Sequence, residues 1–136
     1  MERVFQHYEG EIEELIGVQI SNFKYLTNLD DSDIVLLWFL DAESKSWYRL
    51  FVDGAYCGLD KYETDNSGED IDDGVVLVDD SHWFKDKIIK QASVAHTKEP
   101  DRYIVLKLNF GASFLELVCA SEDGECSLKY VPSKNA

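Results

Sequence analysis

The chain of 136 residues carries 27 acidic side chains against 13 lysines and arginines, which gives a formal net charge of -14 at pH 7. This length predicts a single globular domain over 1–136, and a hydrophobic content of 45% argues against global disorder despite the charge. The charge disfavours nucleic acids and anionic membranes as partners, because binding them requires lysines and arginines that displace counterions.

The termini and the apolar runs predict a cytoplasmic protein. The longest apolar run, residues 34–40, is too short to span a bilayer and suits a buried strand. The N-terminus lacks the features of a signal peptide, and the C-terminus carries no lipidation signal. Cys57, Cys119 and Cys126 are odd in number and have no CxxC spacing, which is typical of reduced thiols in a reducing compartment.

The pattern of apolar residues and turn signals predicts strands, with two short helical segments. In chain order the predicted elements are a helix over 8–16, strands over 18–26, 34–40 and 47–52, an acidic loop over about 60–74, a strand over 75–78, a helical turn over 82–85, and strands over 87–94, 103–110, 114–120 and 126–131.

Hydrophobic spacing supports the first of these elements. Ile12, Leu15 and Ile16 have the i, i+3, i+4 spacing of an amphipathic helix, which Gly17 would close. In the next strand the alternation slips at residues 21–22, which indicates a bend or bulge.

The expected core lies between two central strands. The strand over 34–40 is apolar on both faces, and the strand from 104 to 110 is apolar on one face. Their inward residues are expected to pack with Trp47, Phe51, Leu117 and Tyr130.

The C-terminal hairpin can be predicted down to its register. An Asp-Gly pair at residues 123–124 is the signal for a two-residue turn, which would set Cys119 opposite Leu128. We expect Cys119 and Cys126 to point to opposite faces and therefore to form no disulfide.

A shift of 69 residues superposes Ile20 on Ile89 and Leu37 on Leu106, and each copy runs strand, turn, strand, hairpin. Any protein built from antiparallel hairpins shows such periodicity, so duplication and chance spacing both stay open.

The lack of known motifs predicts no catalytic residue, no metal and no cofactor. The chain has no phosphate-binding loop, dinucleotide fingerprint, nucleophile elbow or zinc motif. His7, His82 and His96 are widely separated, so a metal site would need tertiary assembly. His82 and His96 each have an aspartate nearby in sequence; each is either half of an acid–base pair or, as is commoner, a solvated histidine beside a loop carboxylate.

The acidic loop predicts a recognition surface for a basic protein. Clustered carboxylates attract a basic partner from a distance, and nearby tyrosine and tryptophan rings supply buried anchors. The structural alternative is a solvated loop with rings that cap the core. Weak calcium binding by the carboxylates stays open, but a calcium loop of the EF-hand type is excluded because its sixth position is Asp70 rather than glycine. The predicted partner-binding residues are Asp65, Glu69, Asp70, Asp72, Asp73, Tyr56, Tyr62 and Trp83. The turn at residues 53–58 is a secondary candidate.

Together these features predict a mainly antiparallel β domain of about eight strands, as a sandwich, open barrel or curved sheet with a short N-terminal helix. The favoured function is a non-catalytic acidic domain that neutralises or regulates a basic protein partner, and unpaired edge strands leave a homodimer open. Small acidic bacterial immunity proteins, which block nuclease toxins, are similar in size and charge, a likeness of composition alone. The alternatives are a β domain that holds a small apolar or aromatic ligand, and a hydrolytic enzyme built from dispersed carboxylates and a histidine.

Overall fold

Two antiparallel β-sheets form the framework of the chain. The computed structural model describes residues 2–7, 9–28, 34–53, 56–65, 75–97, 103–120 and 126–132. In chain order the strands are β1 Glu2–His7, β2 Gly10–Glu11, β3 Ile20–Asn28, β4 Ile34–Asp41, β5 Trp47–Asp53, β6 Tyr56–Tyr62, β7 Val75–Asp79, β8 Gln91–Thr97, β9 Tyr103–Asn109, β10 Ser113–Ala120 and β11 Cys126–Pro132. One sheet has the order β1-β6-β5-β4-β3-β7 and the other the order β11-β10-β9-β8-β2. The mainly antiparallel β fold is confirmed, with eleven strands in the described part where about eight are predicted.

The two sheets share one hydrophobic core. β4 lies inside the six-stranded sheet and β9 at the centre of the five-stranded sheet, as the sequence predicts. β9 alternates half-buried and buried residues, the period of two expected for a strand with one face on the core. Tyr130, partly buried, packs against this core, whose buried members include Phe23, Leu37, Phe39, Leu50 and Leu59 from the larger sheet and Val94, Ile104, Leu106, Leu108, Leu115 and Leu117 from the smaller.

Trp47 and Phe51 do not join this core, which corrects the prediction for both. Tyr48 and Leu50, which alternate with them along β5, point into the shared core. Trp47, Arg49 and Phe51 of β5 therefore point to the opposite face of the six-stranded sheet, which we call the outer face. A second buried cluster on the outer face consists of Leu26, Trp38 and Trp47.

The predicted N-terminal helix is a short strand followed by a 3-10 turn over Glu13–Leu15. Gly10 (φ 136°) and Gly17 (φ 91°) bracket it in conformations that L side chains rarely adopt. A 3-10 turn repeats every three residues, so Ile12 and Leu15 are both buried. Ile16 completes the helical spacing but stays exposed.

Other local predictions are confirmed in part. The register between β3 and β4 shifts between Ile20 and Asn22, at the predicted bulge. A single helical turn, α1, forms over Ser81–Phe84, one residue earlier than predicted. The strand predicted over 87–94 begins only at β8, after an isolated bridge between Gln19 and Ile88.

The C-terminal hairpin forms in a different register from the predicted one. Cys119 lies directly opposite Cys126, and Leu117 opposite Leu128. Cys126 and Leu128 are two positions apart on one strand, so they share a face with Cys119, and the expectation of opposite faces is wrong. Cys119 and Cys126 form a disulfide, which overturns the predicted absence of one. The turn itself, residues 121–125, lies outside the described residues.

The repeat of 69 residues is present in the pairing of the strands. Phe23 pairs with Phe39 in β3 and β4, and Ala92 pairs with Leu108 at the equivalent positions of β8 and β9. Each half continues as a four-stranded meander, β3 to β6 in one sheet and β8 to β11 in the other.

The hydrogen bonds between the two halves also follow the repeat of 69 residues. The Ile20 N–H donates to the Lys87 carbonyl, and the Ile89 N–H donates to the Val18 carbonyl. Because Ile20 corresponds to Ile89 and Val18 to Lys87 in the repeat, the two bonds are equivalent. The strands that precede the meanders are exchanged, since β2 pairs with β8 and β7 pairs with β3. The order of the meander strands and the bonds at the junction are therefore similar in the two halves of the described structure.

Candidate functional site

The predicted partner-binding residues fall in different environments. Asp65 forms an ion pair with Lys24, Tyr62 is half-buried on the outer face, and Trp83 is exposed on α1. The side chains of Tyr56, Glu69, Asp70, Asp72 and Asp73 lie outside the described residues. The predicted loop also begins later than residue 60, because β6 continues to Tyr62.

Trp83 is a large apolar side chain held in an exposed position. It is 57% exposed, whereas its neighbour Phe84 is buried against Phe23, with ring centroids 4.1 Å apart. The indole contacts the rings of His82 and Tyr130 at centroid distances of 5.1 and 6.5 Å. Phe84 thus fixes the helical turn to the core, and the turn presents Trp83 to solvent.

Carboxylates stand at the start of this turn. Hydrogen bonds from the Ser81 side chain and backbone lower the pKa of Asp79, and the charges of Lys24 and His82 lower it further. Burial raises the pKa of Tyr25, and the adjacent Asp80 carboxylate raises it further. The Ser81 hydroxyl also accepts a hydrogen bond from the Phe23 N–H at 2.9 Å, which ties the turn to β3.

On the outer face, cationic side chains are engaged by carboxylates and rings. Asp60 is fully buried and accepts from both Arg3 and Arg49; the Arg49 Nη2 lies 2.8 Å from its Oδ2. The Arg49 guanidinium lies 5.2 Å from the Tyr62 ring centroid, and the Lys24 ammonium lies 5.1 Å from that of Trp47. The sequence predicts Asp60 at the start of a solvated loop, which is wrong, because its partners Arg3 and Arg49 come from β1 and β5 and leave no local signal.

A second group of carboxylates lies near the N-terminus. Burial raises the pKa of Tyr48, and the charges of Asp41, Glu2 and Glu14 raise it further, so these three carboxylates lie within electrostatic range of its hydroxyl. The exposed glutamates of this region, together with these residues, form what we call the N-terminal acidic surface: Glu2, Glu9, Glu11, Glu13, Glu14 and Asp41. The sequence pattern predicts a helix over 8–16 here and does not single out these carboxylates.

Nothing in the described ranges groups three His, Cys, Asp or Glu side chains around a metal position. Burial raises the pKa of Cys57 to about 12, so this thiol stays protonated and poorly nucleophilic at neutral pH. Gly58, which belongs to the secondary candidate turn in the sequence, lies in β6 opposite Phe51. It leaves space for the Phe51 ring, which would collide with any Cβ there. A shallow cleft of about 210 Å³ beside β8 is lined by Glu11, Ile16, Lys90, Gln91, Ala92 and Ser93.

No protein-family model, curated protein or solved structure matches the chain. In the part of the chain that the structure describes, no helix has the length and hydropathy needed to cross a membrane.

Proposed function

We propose that the chain is a non-catalytic acidic domain that binds a basic protein partner, with Trp83 as an anchor of the interface. The observation that carries the proposal is the exposed indole of Trp83 on a turn that is fixed to the core, in a chain with a net charge of -14. Exposed tryptophans on rigid supports are typical of binding hot spots.

The distribution of charge supports a basic partner. Several lysines and arginines face a carboxylate or an aromatic ring of the chain itself, while the glutamates of the N-terminal acidic surface are exposed. The engaged cations are Arg3, Lys24, Arg49, Lys61, Lys87 and Lys107. Negative potential therefore dominates the surface, which speeds the approach of a basic protein and weakens with salt.

The expected contribution of Trp83 is large for one residue. Burial of the exposed part of its ring removes about 100 Å² of mostly apolar surface from water, which corresponds to about 2–3 kcal/mol. Because the turn is already ordered, little backbone entropy is lost when a partner covers it.

The test is affinity capture from a lysate of the source organism with three baits: the unchanged chain, Trp83→Ala and Ile16→Ala. Ile16 is the matched control, because it is a 49% exposed apolar residue on a different turn. We expect one basic protein that the unchanged chain and Ile16→Ala retain at low salt, that Trp83→Ala loses, and that high salt releases. Equal capture by all three baits, or capture that resists salt, would refute the proposed interface.

The finer parts of the proposal concern the compartment, the excluded partners and the role of the chain. We place the chain in the cytoplasm, without nucleic acid or membrane as a partner, and an immunity-protein-like role is its narrowest form. The disulfide between Cys119 and Cys126 counts against the cytoplasm, because disulfides are rare in reducing cytosol. Finding these two cysteines oxidised in cells would refute this placement. The ligand-binding and hydrolytic alternatives have no specific observation in their favour within the described ranges.

A further inference from the structure

We propose that the free edge of β7 binds an extended segment of the basic partner, which adds to the six-stranded sheet as one more strand. This inference rests on the proposed function and names the element that the partner pairs with.

Among the described residues, β7 is the least protected of the four strands that end the two sheets. The sheet order ends at β7, and no other described strand pairs with its second edge. Of the other terminal strands, β1 has a register shift between Arg3 and Phe5, β2 has only two residues, and β11 carries Lys129 and Pro132. Bulges, shortness, lysine and proline are the devices that block edge pairing.

The residues of β7 favour an added strand. Residues 75–78 are three valines and a leucine, without proline, glycine or charge, and Val76 is 40% exposed. The register of β7 with β3 is continuous over all five residues, so the edge is extended and free of bulges. Such a strand is a suitable template for pairing with another segment.

The backbone groups that face outward can be identified. The Asp80 N–H donates to the Phe23 carbonyl at 3.0 Å, which makes the adjacent pair of Asp79 and Lys24 a non-hydrogen-bonded pair of the ladder. Because hydrogen-bonded and non-hydrogen-bonded pairs alternate in an antiparallel ladder, Val75, Leu77 and Asp79 direct their N–H and C=O groups away from β3. These groups are the ones that an added strand would bond.

Charge selects a basic segment rather than a second copy. Asp79 and Asp80 stand at the end of the apolar edge, and Asp72 and Asp73 precede it closely in the sequence. A second copy would bring a charge of -14 against the same charge, which disfavours close pairing. The occupant is therefore an extended segment with a short apolar centre and lysines or arginines at its ends.

The test uses a synthetic peptide of alternating valine and threonine with two lysines at each end, and the same peptide with every second amide N-methylated. Binding is measured to the unchanged chain, to Val76→Lys and to the matched control Val76→Thr, with circular dichroism to confirm folding. We expect N-methylation and Val76→Lys each to weaken binding about tenfold or more, and Val76→Thr to stay within about twofold. Hydrogen exchange should slow on peptide binding at Val75, Leu77 and Asp79.

Two results would overturn the inference. Equal affinity for both peptides would mean that charge alone holds them, and a dimer that Val76→Lys dissociates would assign the edge to a second copy. The methylated peptide decides the matter on the unchanged chain even if Val76→Lys fails to fold. If N-methylation and Val76→Lys leave peptide binding unchanged while Trp83→Ala still loses the captured protein, only this inference is refuted. If Trp83→Ala captures the protein as well as the unchanged chain does, the proposed function is refuted.

Discussion

At the scale of single residues, one buried carboxylate organises the outer face of the six-stranded sheet. Asp60 accepts from Arg3 on β1 and from Arg49 on β5, and so joins three neighbouring strands through side chains. An isolated buried charge is costly, and the two guanidiniums compensate it. Its role is therefore to hold β1 at the edge of the sheet.

Asp60→Asn should destabilise the chain, because it leaves two partly buried guanidiniums without their shared carboxylate. We expect a loss of about 3 kcal/mol in the free energy of unfolding, the lower end of the range for broken buried pairs, since Arg3 keeps contact with water. Denaturant unfolding measures it, and Glu13→Gln on the exposed turn serves as the control. A loss no larger than that of the control would contradict the role assigned to Asp60.

The buried thiol of Cys57 is expected to make the stability of the chain depend on pH in the alkaline range. Burial raises its pKa from 9.0 to about 12, so between these values the unfolded chain loses a proton that the folded chain keeps. The free energy of unfolding should therefore fall as pH rises through this window, by up to about 1.4 kcal/mol per pH unit from this group. The difference between the unchanged chain and Cys57→Ala isolates the effect. Parallel pH profiles for the two chains would contradict it.

At the scale of elements, the sequence predicts those features that depend on residues close together in the chain. The bulge in β3, the hairpin of β4 and β5 and the helical turn α1 follow from alternation, turn residues and short spacing. β1 could not be predicted, because it is held by pairing with β6 and by the distant Asp60. The N-terminal turn was predicted as a helix because a 3-10 turn satisfies two of its three apolar positions.

The disulfide that joins β10 and β11 is expected to stabilise the folded chain. Cys126→Ser should lower the free energy of unfolding by about 2 kcal/mol, as expected for closing a loop of this length. The measurement is denaturant unfolding with and without a thiol reductant. The unchanged chain should respond to the reductant and Cys126→Ser should not. Labelling of Cys119 and Cys126 in the unreduced folded chain would show that no disulfide forms.

At the scale of the whole molecule, two similar halves build one core while charge is distributed unevenly over the surface. The 69-residue repeat was visible in the apolar residues because core positions recur in both halves. The candidate site was only partly predictable. The sequence singled out Trp83, but the N-terminal acidic surface and the free edge of β7 depend on which strands become neighbours.

The acidic loop and the N-terminal acidic surface can be distinguished by their effects on the rate of partner association. Charge reversal at Asp70, Asp72 and Asp73 should leave the fold intact and slow association with the basic partner, because these residues border the proposed strand edge in sequence. Reversal at Glu11, Glu13 and Glu14 on the N-terminal acidic surface is the matched control: it makes the same change in net charge and should slow association less. Stopped-flow association rates at low salt measure both. Equal slowing by both would mean that net charge alone, not the acidic loop, steers the partner.

The most direct test of the proposed function is the binding kinetics of the captured partner to the unchanged chain and to Trp83→Ala, at low and high salt. The proposal predicts an association rate that falls steeply with salt for both chains, and a dissociation rate about 30-fold faster for Trp83→Ala, as for the loss of about 2 kcal/mol at a hot spot. Dissociation unchanged by Trp83→Ala, with association insensitive to salt, would contradict the account of an acidic domain that binds a basic protein through Trp83.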